Sequence, residues 1–589
     1  MVSVLGLSFD YHNSAAALVV DGELLAAAQE ERFSRTKNDP GFPHQAIKFC
    51  LRKADLYAKD IDYIVFYENP RLKFSRIIET SENIPNKKVQ VVESALRHWV
   101  AKEKFFPEQK ISHFLEIKPE KVSLVNHHLA HAASAFFASP FQEAAIVTID
   151  GVGEKTTSAI YSGNGQKISE INKTEYPNSV GLFYSAITAF LGFEVNEGEY
   201  KVMGMAAYGE PKYEQKMREL FTLFDDGTFV LDQSLFEFNN PIGVPYSKEF
   251  ISQYGPAREA EAIFDPEGRE NKDYRIITES KFYADIAASA QKTTEHVIKH
   301  ITNAALRITE NTNLCMAGGV ALNSVANGLL RKNPDLSLFV QPESGDAGSA
   351  LGAAYAKYVE ISNLRPTWQF DVSLGYEASE KECHTAIQDA GLTNWKLLES
   401  EEEMLVKAAE NIADGRVLGW FQGGAEWGPR ALGYRSILAN AGFAQMAERV
   451  NKRVKFRERF RPFAPSVLAE YATDYFVLPE FCDEASPESF MLSVCQTRPD
   501  KRELLPAVTH VDGSARVHLV HKTINPIFHK LIEKCKDLTG IPVVLNTSFN
   551  RRGEPIVNTP ADAISAFVWS DLDILYLGLF EISKEDFSY

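Results

Sequence analysis

Cysteine is scarce in this chain. There are six in 589 residues, scattered, and no two form a C-x-x-C pair. That excludes a disulfide framework and a zinc knuckle, and it is the usage of a reducing compartment. Long apolar runs are also missing, since none approaches the roughly 18 residues that span a bilayer. Residues Met1 to Asp10 carry no basic stretch and no small-residue cleavage site, so they read as a first strand rather than a signal peptide. A cytoplasmic location is the expectation. Excess positive charge is absent as well. Lys plus Arg number 62 against 79 Asp plus Glu, a formal charge of −17. A chain this acidic is a poor general binder of nucleic acid or of an anionic membrane.

What is present is a globular composition, 45% hydrophobic and 24% charged, which excludes a disordered or fibrous chain. The length is too great for one core and predicts two large domains or three to four small ones. Val2–Phe9 is apolar, polar Asp10–Ser14 follows, and Ala15–Val20 and Glu23–Ala28 flank Asp21-Gly22, a strong hairpin signal. The pattern returns at Ala145–Ile149, Asp150–Gly153 and Thr156–Tyr161, with a further turn expected at Ser162–Gly165. The repeat predicts a duplicated α/β domain of the actin/Hsp70/sugar-kinase kind. Cys315 to Asn323 reads as a strand, a Gly318-Gly319 turn and a helix. Backbone without a Cβ approaches a flat nucleotide closely, so Gly318, Gly319 and Asn323 are nucleotide-side candidates. Gln341–Gly352 is a Gly-rich turn opening a small-residue helix, whose N–H groups favour anions.

His127 and His131, in Asn126-His-His-Leu-Ala-His131, stand four apart and share a helix face. With Asp150 at the end of the next strand and Asp346 in the Gly-rich turn, they make a candidate set for one divalent ion. Two histidines, a carboxylate and open positions suit iron(II), with zinc or manganese also admitted. The competing reading is a pair of packed or capping histidines. No Glu follows the first His, so the zinc-peptidase pattern is absent. His12, in the equivalent turn of the first repeat, reads either as a general base or as a hydrogen-bonded turn residue. Lys37 reads either as a phosphate neutraliser or as a solvated loop lysine.

Pro366 ends the Ala-rich helical pattern, and the expected boundary lies there, between domains 1–362 and 369–589. The stretch from Phe238 to Asp273 reads as an inserted loop region. Beyond the boundary the charge inverts. From Arg449 to Arg461 seven basic residues face one acid, Glu458. With Arg430 upstream and Arg516, Ser548 and Arg552 downstream, this predicts a pocket for a polyphosphate and a second small anion, against a solvated basic face or a nucleic-acid patch.

These motifs, together with Gly198–Gly204, Glu426-Trp-Gly-Pro-Arg-Ala-Leu-Gly433 and Leu545-Asn-Thr-Ser-Phe-Asn550, resemble the NodU/CmcH family of ATP-dependent O-carbamoyltransferases across the whole chain. The resemblance implies an actin-like domain followed by an α+β domain similar to YrdC/Sua5 proteins. It implies that carbamoyl phosphate and ATP, with magnesium, give carbamoyladenylate in the second domain. The carbamoyl group would then pass to a hydroxyl of a small-molecule natural product in the first. On that resemblance His127, His131, Asp150 and Asp346 hold the metal, His12 and Lys37 serve the transfer, and Arg430, Lys455, Arg461, Arg516 and Ser548, with Arg552 nearby, bind anion and nucleotide. It implies no nucleic-acid or membrane partner and leaves the oligomeric state open, a homodimer among the options. A tRNA threonylcarbamoyl-type enzyme and a nucleotide-regulated binding protein are the alternatives.

Overall fold

A computed structural model describes residues 2–81, 88–238 and 243–584. The chain divides into two compact units. One comprises residues 1–10, 17–24 and 55–367, the other residues 11–16, 25–54 and 368–589.

The first unit is built on a repeat. β1 (Ser3–Ser8), β2 (Ala15–Val20), β3 (Glu23–Gln29), β4 (Tyr63–Phe66) and β5 (Val122–Leu124) form a sheet of order β3-β2-β1-β4-β5. β6 (Glu143–Ile149), β7 (Thr156–Asn164) and β8 (Lys167–Glu175) begin a second sheet. After a small hairpin of β9 (Phe221–Leu223) and β10 (Phe229–Leu231), it is completed by β11 (Asn313–Ala317) and β12 (Ser337–Val340). Its order, β8-β7-β6-β11-β12, is the first sheet's order over again. Within each, the first strand pairs in parallel with the fourth and the fourth with the fifth. This duplicated α/β architecture is the actin-like one that the repeated hairpins predict. Asp21 and Gly22 take φ of 49° and 86°, the left-handed pair that a tight primed turn needs. The predicted turn at Ser162–Gly165 is displaced. β7 continues to Asn164 and reverses at Gly165, because Ser162 and Gly163 pair with Ala145 and Ala144 of β6.

Each repeat closes with a helix after its last strand. His127–Phe136 follows β5, and Asp346–Ser362 follows β12. The two helices pack on each other, and the small residues of the second are the reason they come so close. A Cβ on Gly352 would lie 1.7 Å from the Ala130 carbonyl oxygen. Gly318, after β11, has φ of 90°, and a Cβ there would sit 2.2 Å from the Ile149 carbonyl oxygen. The stretch expected as inserted loop is irregular apart from the helix Lys248–Tyr254, and residues 239–242 lie outside the described residues. It is tied down locally. Asp265 accepts backbone N–H bonds from Arg269, Glu270 and Asn271, and Arg258 donates to the Leu191 carbonyl.

The second unit holds a mixed eight-stranded sheet. Its strands are β13 (Trp395–Leu397), β14 (Leu418–Phe421), β15 (Arg435–Asn440), β16 (Ala464–Leu468), β20 (His518–Val520), β21 (Val543–Ser548), β22 (Ile574–Leu577) and β23 (Phe580–Ser583). Their order is β13-β23-β22-β14-β15-β21-β16-β20. A three-stranded sheet of β17 (Phe476–Val477), β18 (Val494–Thr497) and β19 (Ser514–Arg516) stands beside it. Both faces of the sheet are covered, so β14, β15, β16 and β22 are buried along their whole length. Leu418, Trp420, Leu438 and Val544 face a core with helices Glu401–Ala413 and Pro526–Thr539. Phe421, Ile437, Ala439, Val543 and Leu545 face the other way, toward Glu380–Asp389 and Pro560–Val568. All six cysteines are free, and no described helix is long and apolar enough to cross a membrane.

Candidate active site

In the first unit the chemistry gathers where parallel strands end, as expected for open α/β sheets. His127 opens the helix after β5. Asp150 directly follows β6, and Asp346 opens the helix after β12. His127 Nε2 lies 2.9 Å from Asp150 Oδ2, 3.6 Å from Asp346 Oδ1 and 3.1 Å from His131 Nε2. His131 Nε2 is 3.3 Å from Asp150 Oδ2 and 3.6 Å from Asp346 Oδ1. One ligand atom from each of the four residues falls within 4.8 Å of all the others. Ligands bound at about 2.1 Å to one ion stand about 3.0 Å apart in an octahedron and about 3.4 Å apart in a tetrahedron. The four residues therefore fit a divalent ion as they stand. Three of them are buried, with His131 0% and Asp346 5% exposed, and Asp150 is half-buried.

The surrounding residues fix each side chain of this set. Glu154 accepts the backbone N–H of His127. Asp150 Oδ1 accepts from the N–H groups of Gly151 and Gly319, which leaves Oδ2 facing the histidines. Ser349 Oγ lies 3.1 Å from His131 Nδ1, and the Tyr67 hydroxyl donates to Asp346. Burial works against charge on His127, but Asp346, Asp150 and Glu68 outweigh it and hold its pKa well above the usual range. Burial would raise the Asp150 carboxyl, yet His127 and His131 keep it well below its ordinary value. His128 is turned away. Its Nε2–H donates to the Thr156 carbonyl, its Nδ1 meets the Thr148 hydroxyl, and burial lowers it to about 3.

Of the glycine-turn candidates, Gly318 and Gly319 lie against β6 and Asp150. Asn323 is committed elsewhere. Its amide exchanges two bonds with Gln291 and caps the helix Ser324–Leu330 through Ala326 N–H, so its role in the fold is that of a cap.

The second unit contains a concentration of cations. Lys455, 5% exposed, closes a π-helical turn over Val450–Lys455, a distortion frequent at functional sites. Its Nζ donates to the Ser548 carbonyl at 2.8 Å, to Ser548 Oγ at 3.2 Å and to the Asn550 carbonyl at 3.1 Å. Burial, then Arg457, Arg461 and Lys37, press its pKa well below the usual lysine value. Arg516 is pushed down by burial and by Arg430, Arg457 and Arg461, and its Nε has no hydrogen-bond partner. Among the described residues neither Lys455 nor Arg516 has a carboxylate partner. Arg461 meets Glu458 at 3.4 Å. Arg552 is exposed. Lys37 and His12, expected at the transfer site, belong to segments grouped with this second unit. Lys37 lies near enough to Lys455 to act on its charge.

Sequence reasoning did not find what shapes the Arg430 loop. Glu426, 4% exposed, accepts backbone N–H bonds from Leu432, Tyr434 and Arg435 through one oxygen. Arg435 is wholly buried over the Phe421 ring at 3.6 Å, donates to the carbonyls of Gln422 and Tyr376, and is lowered by burial to about 10. Asn546 donates to the Ala431 carbonyl and joins this loop to β21. Glu68 and Lys73, beside His127, were missed too. The available signal was an acid placed directly after an apolar strand, as with Asp150.

The family model described as Carbamoyltransferase N-terminus matches residues 3–355, and that described as Carbamoyltransferase C-terminus matches residues 409–584. The chain is 40% identical to the uncharacterized protein sll1178 of a Synechocystis species, over 99% of this chain and 97% of that one. It is 36% identical to nodulation protein NolNO of Sinorhizobium fredii, over 97% of this chain and 79% of that one. It is 35% identical to nodulation protein NolO of Bradyrhizobium diazoefficiens, over 78% and 79%.

Proposed function

The chain belongs to the carbamoyltransferase family, and on that premise we propose that it activates carbamoyl phosphate with ATP and transfers the carbamoyl group to a hydroxyl of a small molecule. The observation carrying this reading is the set of cations in the second unit. Lys455 and Arg516 are held well below their ordinary pKa beside Arg430, Arg457 and Arg461, with no carboxylate on either. Like-charge clustering that perturbs the pKa of its members is characteristic of sites that an anion completes. A triphosphate and a carbamoyl phosphate supply the missing charge.

Two bonds are made in the activation. Water releases inorganic phosphate from carbamoyl phosphate, and the carbamate oxygen then attacks the α-phosphorus of ATP as pyrophosphate leaves. The arginine forks and Lys455 stabilise charge on the departing oxygens. Ser548 and Asn550 fix the position of the Lys455 ammonium. In the transfer the acceptor hydroxyl attacks the carbamoyl carbon and AMP leaves. A divalent ion, iron(II) on the balance of ligands, would polarise an oxygen of the intermediate as a Lewis acid. His127, His131, Asp150 and Asp346 would hold it, and His12 is the proposed proton acceptor. A cytoplasmic enzyme is the accompanying reading, supported by the six cysteines, none of them in a disulfide, and the charge of −17 speaks against a nucleic-acid partner.

The test is pyrophosphate release from ATP with no acceptor added. Release that depends on carbamoyl phosphate is expected. Release that ignores carbamoyl phosphate, or none from a protein that still binds ATP, overturns the activation step.

A further inference from the structure

We infer that Glu68 is the carboxylate that holds the His127 ring in its ligating orientation, with Lys73 fixing Glu68 in turn. The inference rests on reading His127, His131, Asp150 and Asp346 as a metal set.

Glu68 follows β4 and is completely buried. Its Oε2 stands 2.8 Å from Lys73 Nζ and 3.5 Å from His127 Nδ1, an ion-pair distance rather than a hydrogen bond, and neither Glu68 Oε1 nor His127 Nδ1 has a hydrogen-bond partner among the described residues. Lys73 is itself only 8% exposed. A buried ion pair is weak evidence for stability, since apolar residues of the same volume usually serve as well. The position of this pair supplies another reason for it. The imidazole has one nitrogen on each side. Nε2 faces Asp150, His131 and Asp346, and Nδ1 faces Glu68. A ring that gives its Nδ1–H to a carboxylate must present the Nε2 lone pair to the ion, and such partners raise the ligand's basicity. Glu154 holds the backbone of the same residue. One acid therefore bonds the main chain of His127 and a different one faces its ring at 3.5 Å. Among the described residues His131 has the neutral Ser349 hydroxyl behind it and no carboxylate on that side. The two imidazoles are thus unequal ligands, one backed by a charge and one not.

Manganese(II) titrated into the full-length chain, with free ion counted by electron paramagnetic resonance, tests this. Glu68→Gln should weaken binding about 10- to 100-fold. That variant orphans Lys73, so Glu68→Gln/Lys73→Met, which removes both charges, is measured beside it. The double variant should recover the melting temperature of the parent and still bind manganese weakly. Parental affinity in the double variant would mean that the single variant suffered only from an unpaired lysine, and the inference would be lost. Parental affinity in His131→Ala overturns the metal reading itself, and this inference with it.

Discussion

Arg516→Met removes one positive charge from the cluster in the second unit, and it should make the ligand-free protein more stable while nearly abolishing activation. Arg516 ends β19, and its guanidinium is surrounded by like charge, with no carboxylate partner among the described residues. Two unit charges about 8 Å apart at an effective dielectric of about 20 repel by about 2 kcal/mol. Arg516 is only half-buried, so solvent screens part of this. A net gain of about 1 kcal/mol is the working figure, which raises the melting temperature of a unit this size by about 2–4 °C. Activity should move in the opposite direction. Losing one preorganised donor to a developing anion costs about 100- to 1,000-fold in rate. Inorganic pyrophosphate should stabilise the parent by about 2.7 kcal/mol at 100 times its dissociation constant, and the variant far less at the same concentration. The assay is thermal unfolding at low salt with and without pyrophosphate, beside carbamoyl phosphate-dependent pyrophosphate release. A variant that melts lower without ligand and releases pyrophosphate at the parental rate would refute the reasoning, because it would make Arg516 a structural arginine.

Gly352→Ala forces a Cβ to 1.7 Å from the Ala130 carbonyl oxygen and must part the helices that carry His131 and Asp346. Overpacking of this kind costs about 1–3 kcal/mol, and both the melting temperature and manganese affinity should fall. Unchanged affinity would show that the ligands do not depend on this contact. His518 is buried against the Ser466 hydroxyl, and burial lowers it to about 3. Unfolded, it titrates near 6.5, so below that pH the unfolded chain binds a proton that the folded chain refuses. The stability it contributes is fully present above about pH 6.5 and is lost as pH falls toward 3. His518→Gln should therefore flatten the stability profile between pH 6 and pH 4 in urea unfolding, and an unchanged slope would contradict the burial argument.

What the sequence disclosed follows the range of the interactions. His127 and His131 are legible because helical spacing is local, and Asp150 because an acid after an apolar strand stands out. The duplication is legible because both hairpins carry their own turn residues. Glu68 lies 59 positions before His127, and only the parallel pairing of β4 with β5 brings them together. Asn323 could not be separated from a ligand-binding asparagine, since its partner Gln291 sits on a helix that pattern alone does not dock there. The basic run from Arg449 to Arg461 was visible as charge. Its sorting into the buried Lys455 and the exposed Arg453, which meets Asp571, depends on a π-helical turn that leaves no periodic trace. Lys37 is a similar case, because it stands 418 positions before the Lys455 on whose charge it acts, and only the fold brings them near.

The helices His127–Phe136 and Asp346–Ser362 are counterparts, each closing one copy of the same five-stranded plan. Both copies offer the same stage, a helix start after the fifth strand, yet they place different actors on it. One copy brings nitrogen ligands and the other a carboxylate. The backbone is doubled and the chemistry is not. A one-sided reactive centre therefore needs no irregular scaffold here, only unlike residues at matching addresses. Exchanging those residues is expected to change what the candidate site can hold without any change to the doubled backbone plan beneath it.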